Sequence, residues 1–554
     1  MNRIITCPIF YLNAKPHIGH LYTMVLADAQ TRYYKLKYPQ TNSVNKLHIG
    51  TDEHGQKISE AASKNKTTPK SLVDNLNLEF KNLAEKYHVD YDRFIRTTDQ
   101  EHVDFIQKKV WTKLKNNGDL SRQTYSGWYC SSDETFVQER DTIIKNDTGI
   151  RVMKDAQHNI VNWVEEDNYV FDMKKYLQDP LFTKFLETNV GPEAGKNLAF
   201  QHYDKICSTT DMLLSVSRPK ERLDWAITIP DDDQQGIYVW LDALSNYLTT
   251  AKPGTYQSQL HLVGKDIIKF HAIYWPAILM ALDIDIFKHR VFAHGHWTIN
   301  HQKMSKSLGN VLDPINSELV NNLPLEDSCF RWFLLKGGNQ MENSVFRTDL
   351  LIETIKKDII GGIGGMPNRM TSVKSNPLQK WPSREECDFS LFPEIDDYFH
   401  QQKQNFKQFE NYLNSEENYM RWDGAIKVLV DMLLLQHKTM AALKLYKIDP
   451  TNPKEVVRRN TWHAVFYESM RNFAILAKPV VPEISKWLFD RYSIGDVVEV
   501  QTFESMSYHL DCNDDVVAKN SRFYPKVLEN IELEKKQNLY PKVNFDTLLN
   551  AKLM

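Results

Sequence analysis

Two short phrases in this 554-residue chain have the composition to hold a chain of phosphates. The first is His17-Ile18-Gly19-His20, where a β-prone run, Arg3 to Phe10, passes through the turn-rich Asn13-Ala14-Lys15-Pro16 into a long amphipathic pattern from about His17 to Tyr38. Imidazoles three residues apart share a helix face, and the first helical turn offers N–H groups and a positive dipole end to an anion. Gly19 lets a backbone or a flat base come close. The second phrase is Lys303-Met304-Ser305-Lys306-Ser307, with Gly309-Asn310 behind it. Two lysines among small hydroxyl residues make a cationic loop able to close over a triphosphate. Each phrase alone also reads as something plainer, surface histidines or a solvated loop. Together they are more specific, because both fall at ends of elements of one α/β sheet and can converge on one anion.

The elements around them alternate. A second strand at Lys46 to Gly50 ends in Thr51-Asp52-Glu53-His54-Gly55, and helical patterns follow at Pro69 to Tyr87 and Glu101 to Asn116. Alternating β and α elements predict a doubly wound parallel sheet. From Gly118 to Leu214 the pattern breaks into short β-like pieces and Asn/Asp-rich turns, as an insertion would. Strands are expected again at Ile237 to Leu241, Leu260 to Val263 and Val291 to His294, with a helix from Asp266 to Leu282. Beyond Thr354 broad apolar faces at helical spacing, as in Ala425 to Tyr446 and Val456 to Tyr492, predict an α-helical bundle. The expected domains are 1–115 and 215–299 as two halves of one catalytic domain, 116–214 as an insertion, 300–355 around the lysine loop, 356–512 as the bundle and 513–554 as a tail. Two similar phrases, Phe523-Tyr-Pro-Lys-Val527 and Leu539-Tyr-Pro-Lys-Val543, suit a tail that clips onto a surface.

Composition narrows the class. Hydrophobic residues are 42% and charged residues 25%, while Gly and Pro number 21 and 22, which excludes disorder and fibres. A net charge of −3 neither supports nor excludes a polyanionic partner. No apolar run reaches a membrane span, and the strand-like start leaves no room for a long leader before the fold. The six cysteines are scattered without structural-zinc spacing, so reduced thiols and no zinc are expected.

In its motifs the chain resembles the class I aminoacyl-tRNA synthetases, and within them the methionyl-tRNA synthetases. The resemblance lies in Pro8 to Tyr22, Gly50 to Gly55, Gly127 to Phe136, Tyr238-Val-Trp-Leu-Asp-Ala243, Gly264-Lys-Asp-Ile267, Phe270-His271 and His294-Gly-His-Trp297, in the family's order over about 300 residues, with the similar Pro479-Val-Val-Pro-Glu-Ile484 in the bundle. It implies a Rossmann-like sheet split by a connective-peptide insertion, an anticodon-binding bundle, and attachment of L-methionine to tRNA(Met) through methionyl-adenylate, using ATP with Mg2+. The resemblance assigns ATP to Asn13, His17, Gly19, His20, Gly264, Asp266, Lys303, Ser305 and Lys306. Of these, His17, His20, Lys303 and Lys306 would be catalytic. It assigns methionine to Ile9, Tyr11, Asp52, Trp240, Ala243, Tyr247, Ile267, Phe270 and His271, with Asp52 on the α-ammonium and aromatic walls around the thioether. The Tyr247 hydroxyl and the Ile9 amide would face the sulfur. Ile267, Phe270, His271 and Tyr274 fall at helical spacing, so one helix face could deliver them together.

The chain also departs from the family. Leu244 stands where a proline is common, Cys130 is single where many members carry cysteine pairs, and Gly365 replaces the asparagine that usually precedes the arginine matched by Arg369. Lys447-Ile-Asp-Pro-Thr451 lacks a tryptophan, so Arg369 alone is carried over to the anticodon. These departures resemble the zinc-free, fungal mitochondrial branch, and the mitochondrial matrix is the expected compartment, with the cytoplasm as the alternative. Another class I ligase or nucleotidyltransferase would share the histidine phrase but not Asp52, Trp240 and Ile267 to His271. An inactive RNA-binding relative would be expected to lack the phosphate-handling residues, all of which remain. Oligomeric state is not encoded in any of these patterns.

Overall fold

In the computed structural model the described residues are 3–39, 45–130, 134–145, 149–154, 159–209, 212–249, 258–299, 301–304, 310–338, 341–377, 379–380, 382–414, 419–492, 501–503 and 505–506. The tail phrases at 523–527 and 539–543 lie outside them, as do Ser305, Lys306 and Cys512. The chain forms two compact units, one of residues 1–16, 44–84 and 90–294, the other of residues 17–43, 85–89 and 295–554.

The first unit is built on a parallel sheet. Its strands are β1 (Arg3–Thr6), β2 (Phe10–Tyr11), β3 (Asn45–Asp52), β4 (Arg93–Arg96), β5 (Val190–Gly191), β6 (Gln259–Gly264) and β7 (His289–His294). Pairing runs β5-β7-β6-β1-β3-β2, with β4 also on β3. Strand β3 is buried along nearly its whole length, the near-continuous apolar text expected of a strand covered on both faces. Its edges divide by parity. The Cys7 and Leu12 amides donate to the carbonyls of His48 and Asp52 at 3.2 and 3.0 Å, and the Asp92 and Thr97 amides to those of Leu47 and Thr51 at 2.8 and 3.2 Å. This register sets Tyr11 opposite Asp52 at the carboxyl end of the sheet, where ligands of such folds bind.

The insertion differs from its expected bounds. Its antiparallel sheet of Leu120–Cys130, Thr135–Val137, Val161–Asp172 and Leu213–Ser215 continues into a second one of Ser217–Pro219, Thr228–Ile229 and Asp232–Ile237, so strand pairing runs to residue 237 rather than 214. Within the same stretch β5 leaves the insertion and pairs with β7 of the main sheet. The strand expected at Ile237 to Leu241 is instead the end of an antiparallel strand followed by the helix Val239–Thr249. A short buried apolar run carries no period that separates strand from helix. A bidentate ion pair holds the insertion's two sheets together: Arg218 donates to Glu166 at 3.0 and 2.5 Å, with its guanidinium 4.1 Å from the Tyr129 ring centre.

The second unit is mostly helical. It contains Ile18–Lys37, Glu326–Gly337, Glu394–Asn414, Trp422–Leu443, Pro453–Ala477 and Pro482–Arg491, close to the helical patterns read from the sequence. The first of these and residues 85–89 group with the C-terminal half rather than with 1–115. The reason is a buried cation: Arg331, fully enclosed, donates to the Val480, Tyr87 and Pro479 carbonyls at 2.7, 3.0 and 2.9 Å and to Asp28 at 2.6 Å. Asp28 also accepts two bonds from Arg32, at 3.0 and 2.8 Å. Arg331→Met leaves three buried carbonyls without that donor and a buried carboxylate short of one partner. The expected cost is about 3–5 kcal/mol, read as a lower midpoint in denaturant unfolding.

Candidate active site

In the second unit the first turn of the helix Ile18–Lys37 decides what the two histidines can offer. His17 is the N-cap; its Nδ1 accepts the Gly19 amide at 3.0 Å, and its own amide donates to His20 Nδ1 at 3.0 Å. With both Nδ1 atoms accepting, each ring carries its proton on Nε2, the tautomer that presents an N–H donor to an anion. The rings lie 3.9 Å apart. Glycine at 19 is a steric necessity, since a Cβ there would stand 2.8 Å from His17 Cε1. That same point is 3.8 Å from Met304 Cε, which sets Met304 of the lysine phrase beside the histidine turn, and the Ile18 amide donates to the Leu312 carbonyl at 3.3 Å. Lys303 lies on the short strand Gln302–Lys303, which pairs with Trp297–Ile299.

In the first unit the phrase Thr51 to Gly55 divides its work. Glu53 is structural: buried, it accepts from Arg96 at 2.8 and 2.9 Å, Thr98 at 2.5 Å and Thr51 at 2.7 Å. Asp52 is different. It is only 7% exposed, and its Oδ1 has no hydrogen-bond partner among the described residues. Burial, then the negative charges of Asp242, Glu134 and Glu53, push its carboxyl well above the usual range, with the His54 amide acting the other way. A buried carboxylate oxygen without a donor is costly unless a cation or donor arrives.

Tyr11 stands beside it, its hydroxyl pKa raised by burial and then by Glu134 and Asp52. Gly55, at φ 122°, allows this approach: a Cβ there would lie 2.4 Å from the Tyr11 hydroxyl and 3.1 Å from Glu134 Oε1. Glu134, from the insertion, accepts the Lys57 amide at 3.1 Å.

The helix Val239–Thr249 delivers Trp240, Ala243 and Tyr247. Trp240 stacks on Phe270 with ring centres 3.5 Å apart and planes within 8°. The expected single helix face from Ile267 to Tyr274 is not an α-helix. Lys265–Ile267 is a tight turn, Phe270–Tyr274 a wide π turn, and α geometry begins only at Trp275. Pro276 has no N–H to return to the fourth residue back, and the widened turn avoids that bond. His271 Nδ1 donates to the Ile267 carbonyl at 3.0 Å, which leaves Nε2 to accept the Tyr247 hydroxyl proton at 2.8 Å. Burial lowers the His271 pKa to about 4, so the ring is neutral. The Tyr247 proton is therefore committed to His271 rather than to a thioether, and Tyr247 and Ala243 are both nearly fully buried. Ile9 sits between β1 and β2, half-buried, 2.9 Å from where a Cβ on Gly50 would stand.

Gly264 ends β6 and caps the turn that bears the exposed Asp266; Asn13 is exposed in the turn after β2. In the bundle Arg369 is exposed, its guanidinium donating to His437 Nδ1 at 3.3 Å, and His437 Nε2 donates to the Gly362 carbonyl at 3.1 Å. Sequence reasoning gave no role to His437 or His102, nor to Met304, Glu134 and His54 within their phrases, since none shares a phrase with its partner. No group of three or more His, Cys, Asp or Glu able to hold a metal occurs among the described residues.

A parallel sheet with this order, split by an insertion and followed by a helical bundle, with the histidine turn and lysine phrase at element ends, is the architecture of a class I aminoacyl-tRNA synthetase. Residues 3–371 match the family model described as "tRNA synthetases class I (M)". A probable mitochondrial methionine–tRNA ligase of Neurospora crassa is 39% identical over 392 residues, 68% of this chain and 60% of that one. The corresponding proteins of Dictyostelium discoideum and Candida albicans are 34% and 33% identical, over 89% and 95% of this chain and 86% and 95% of theirs. Mycobacterium tuberculosis methionyl-tRNA synthetase bound by methionyl-adenylate superposes with a TM-score of 0.80 at 26% identity, covering 98% of this chain and 100% of that one. The chain belongs to the methionine family of the class I tRNA synthetases.

Proposed function

We propose that this chain joins L-methionine to tRNA(Met) in two steps, in mitochondria. A carboxylate oxygen of methionine attacks the α-phosphorus of ATP and pyrophosphate leaves; the terminal ribose hydroxyl of the tRNA then attacks the acyl carbon of methionyl-adenylate, losing its proton as AMP departs. The observation that carries the reading is Asp52, a buried carboxylate with one oxygen unpartnered among the described residues, beside Tyr11. Such a group suits the α-ammonium of an amino acid.

Trp240, Ala243, Ile267 and Phe270 supply the apolar surface for a polarizable thioether, with Tyr247 and His271 behind them. His17 and His20 are the Nε2–H donors for the phosphates, and Lys303 and Lys306 neutralise the charge that builds as the α-phosphorus gains its fifth oxygen. Asn13, Gly19, Gly264, Asp266 and Ser305 complete the contacts to ATP. Mg2+ enters with ATP as the counter-charge of its phosphates. The compartment is supported by the names of the relatives, which are mitochondrial methionine–tRNA ligases. Pyrophosphate exchange tested with each of the twenty amino acids checks the whole reading: methionine alone drives it efficiently, and exchange driven best by another amino acid would replace the assignment.

Arg369 is proposed to meet the anticodon. A cation on an exposed helix end, hydrogen-bonded to an imidazole, can face a phosphate or a base edge. Arg369→Ala is expected to lower kcat/KM for tRNA by about 1–3 kcal/mol, roughly 5- to 150-fold, with pyrophosphate exchange unchanged. Equal loss in both assays would place Arg369 in the fold rather than at the tRNA.

A further inference from the structure

Behind Asp52 lies a second carboxylate for which the reaction as described has no use. Asp242 is 1% exposed and sits on the helix Val239–Thr249 between Trp240 and Ala243. Its two oxygens face two different histidines: Oδ2 is 2.7 Å from His54 Nδ1 and Oδ1 is 2.6 Å from His102 Nε2. His54 follows Asp52 by two residues. His102 lies on the helix Gln100–Phe105, and its other nitrogen is 3.4 Å from Thr249 Oγ1. One buried carboxylate thus ties the pocket's aromatic helix to the turn that carries Asp52 and to a third helix. Packing alone would have fixed these elements without the cost of desolvating a charge. The charge therefore needs a reason.

We propose that Asp242 is a positioning residue for methionine activation: it locks the helix of Trp240, Ala243 and Tyr247 to the turn of Asp52, and it keeps a second negative charge beside Asp52 so that the site favours a cation. The inference rests on the reading of Asp52 as the ammonium partner. The groups facing Asp52 are Asp242, Glu134, Glu53, Tyr11 and the His54 amide. Glu53 is bound to Arg96, and Glu134 comes from the insertion. Asp242 is the largest electrostatic influence on Asp52, second only to burial, while its own carboxyl is held below the usual range by His54 and His102 against burial. Asp242 therefore stays ionised where Asp52 is poised to take a proton.

The test is methionine-dependent ATP–pyrophosphate exchange followed from acidic to mildly alkaline pH in the full chain. Asp242→Asn keeps the shape, and a change of tautomer at one histidine keeps both hydrogen bonds. The expected result is a methionine KM raised about tenfold with kcat within about threefold, and an acid limb of kcat/KM moved to lower pH, because Asp52 has lost the like charge that acts on it most strongly. A raised KM with the acid limb unmoved would reduce Asp242 to a packing role and overturn the proposal. His102→Gln supplies the second measurement should Asp242→Asn fail to fold by circular dichroism. It keeps an N–H donor and the Asp242 charge but loosens the tie to the third helix, so the methionine KM rises several-fold with the acid limb unmoved; an unchanged KM or a limb moved to lower pH also overturns the proposal. Loss of methionine dependence in the wild-type chain would instead refute the functional reading beneath it.

Discussion

Asp52→Asn is expected to raise the methionine KM by about 30-fold to several thousand-fold, the 2–5 kcal/mol typical of removing one member of a buried charge pair. The binding of tRNA should be almost unaffected. Two further signatures follow from the raised Asp52 pKa. In the wild-type chain methionine affinity falls as pH drops through that value, since a protonated Asp52 offers no charge to the ammonium; in the asparagine variant this acid limb disappears. Stability moves the opposite way. A carboxyl whose pKa is higher folded than unfolded binds its proton more tightly in the native state, so its contribution to stability falls as pH rises above the unfolded pKa. Without methionine, at any pH above the unfolded pKa, the Asp52 carboxyl opposes folding, and Asp52→Asn should melt at a higher temperature than the wild type. A variant that is less stable and still activates methionine would move the ammonium site elsewhere. The expected trade of stability for binding is common where a site holds a charge ready for its ligand.

Lys306→Ala should depress pyrophosphate exchange by on the order of a hundred- to thousand-fold, the about 2.7–4 kcal/mol that a charge donor contributes when it meets the transition state more strongly than the ground state. Methionine affinity, followed by the fluorescence of Trp240 stacked on Phe270, should change little, because the groups proposed to hold methionine lie on the sheet and its helices. A plain solvated loop predicts no change in rate. Near-normal exchange in a folded variant would remove Lys306 from the mechanism and leave His17, His20 and Lys303 to meet the phosphates.

The sequence by itself determined the family, the parallel sheet, the bundle and the residues of the contiguous phrases. These are properties of local text: the helix Ile18–Lys37 announces itself by its period after the turn-rich Asn13 to Pro16, and Asp52 by its place at the end of a buried strand. It also placed His17 and His20 on one turn, because three residues is the helical spacing. What it could not supply were contacts between distant segments. His102 and Asp242 are 140 residues apart, and Glu134 reaches Gly55 from a distant part of the chain. Ile237 to Leu241 read as a strand although the helix begins at Val239, because both states bury an apolar run equally well. The pairing of Tyr247 with His271 lay beyond sequence as well. Local turn geometry puts the protons of His17 and His20 on Nε2, whereas only the tertiary structure directs the Tyr247 proton to His271, because a ring nitrogen's role is set by the group it faces. Spacing names the residues that can carry charge, but burial and the neighbours across the fold decide which of them keep it.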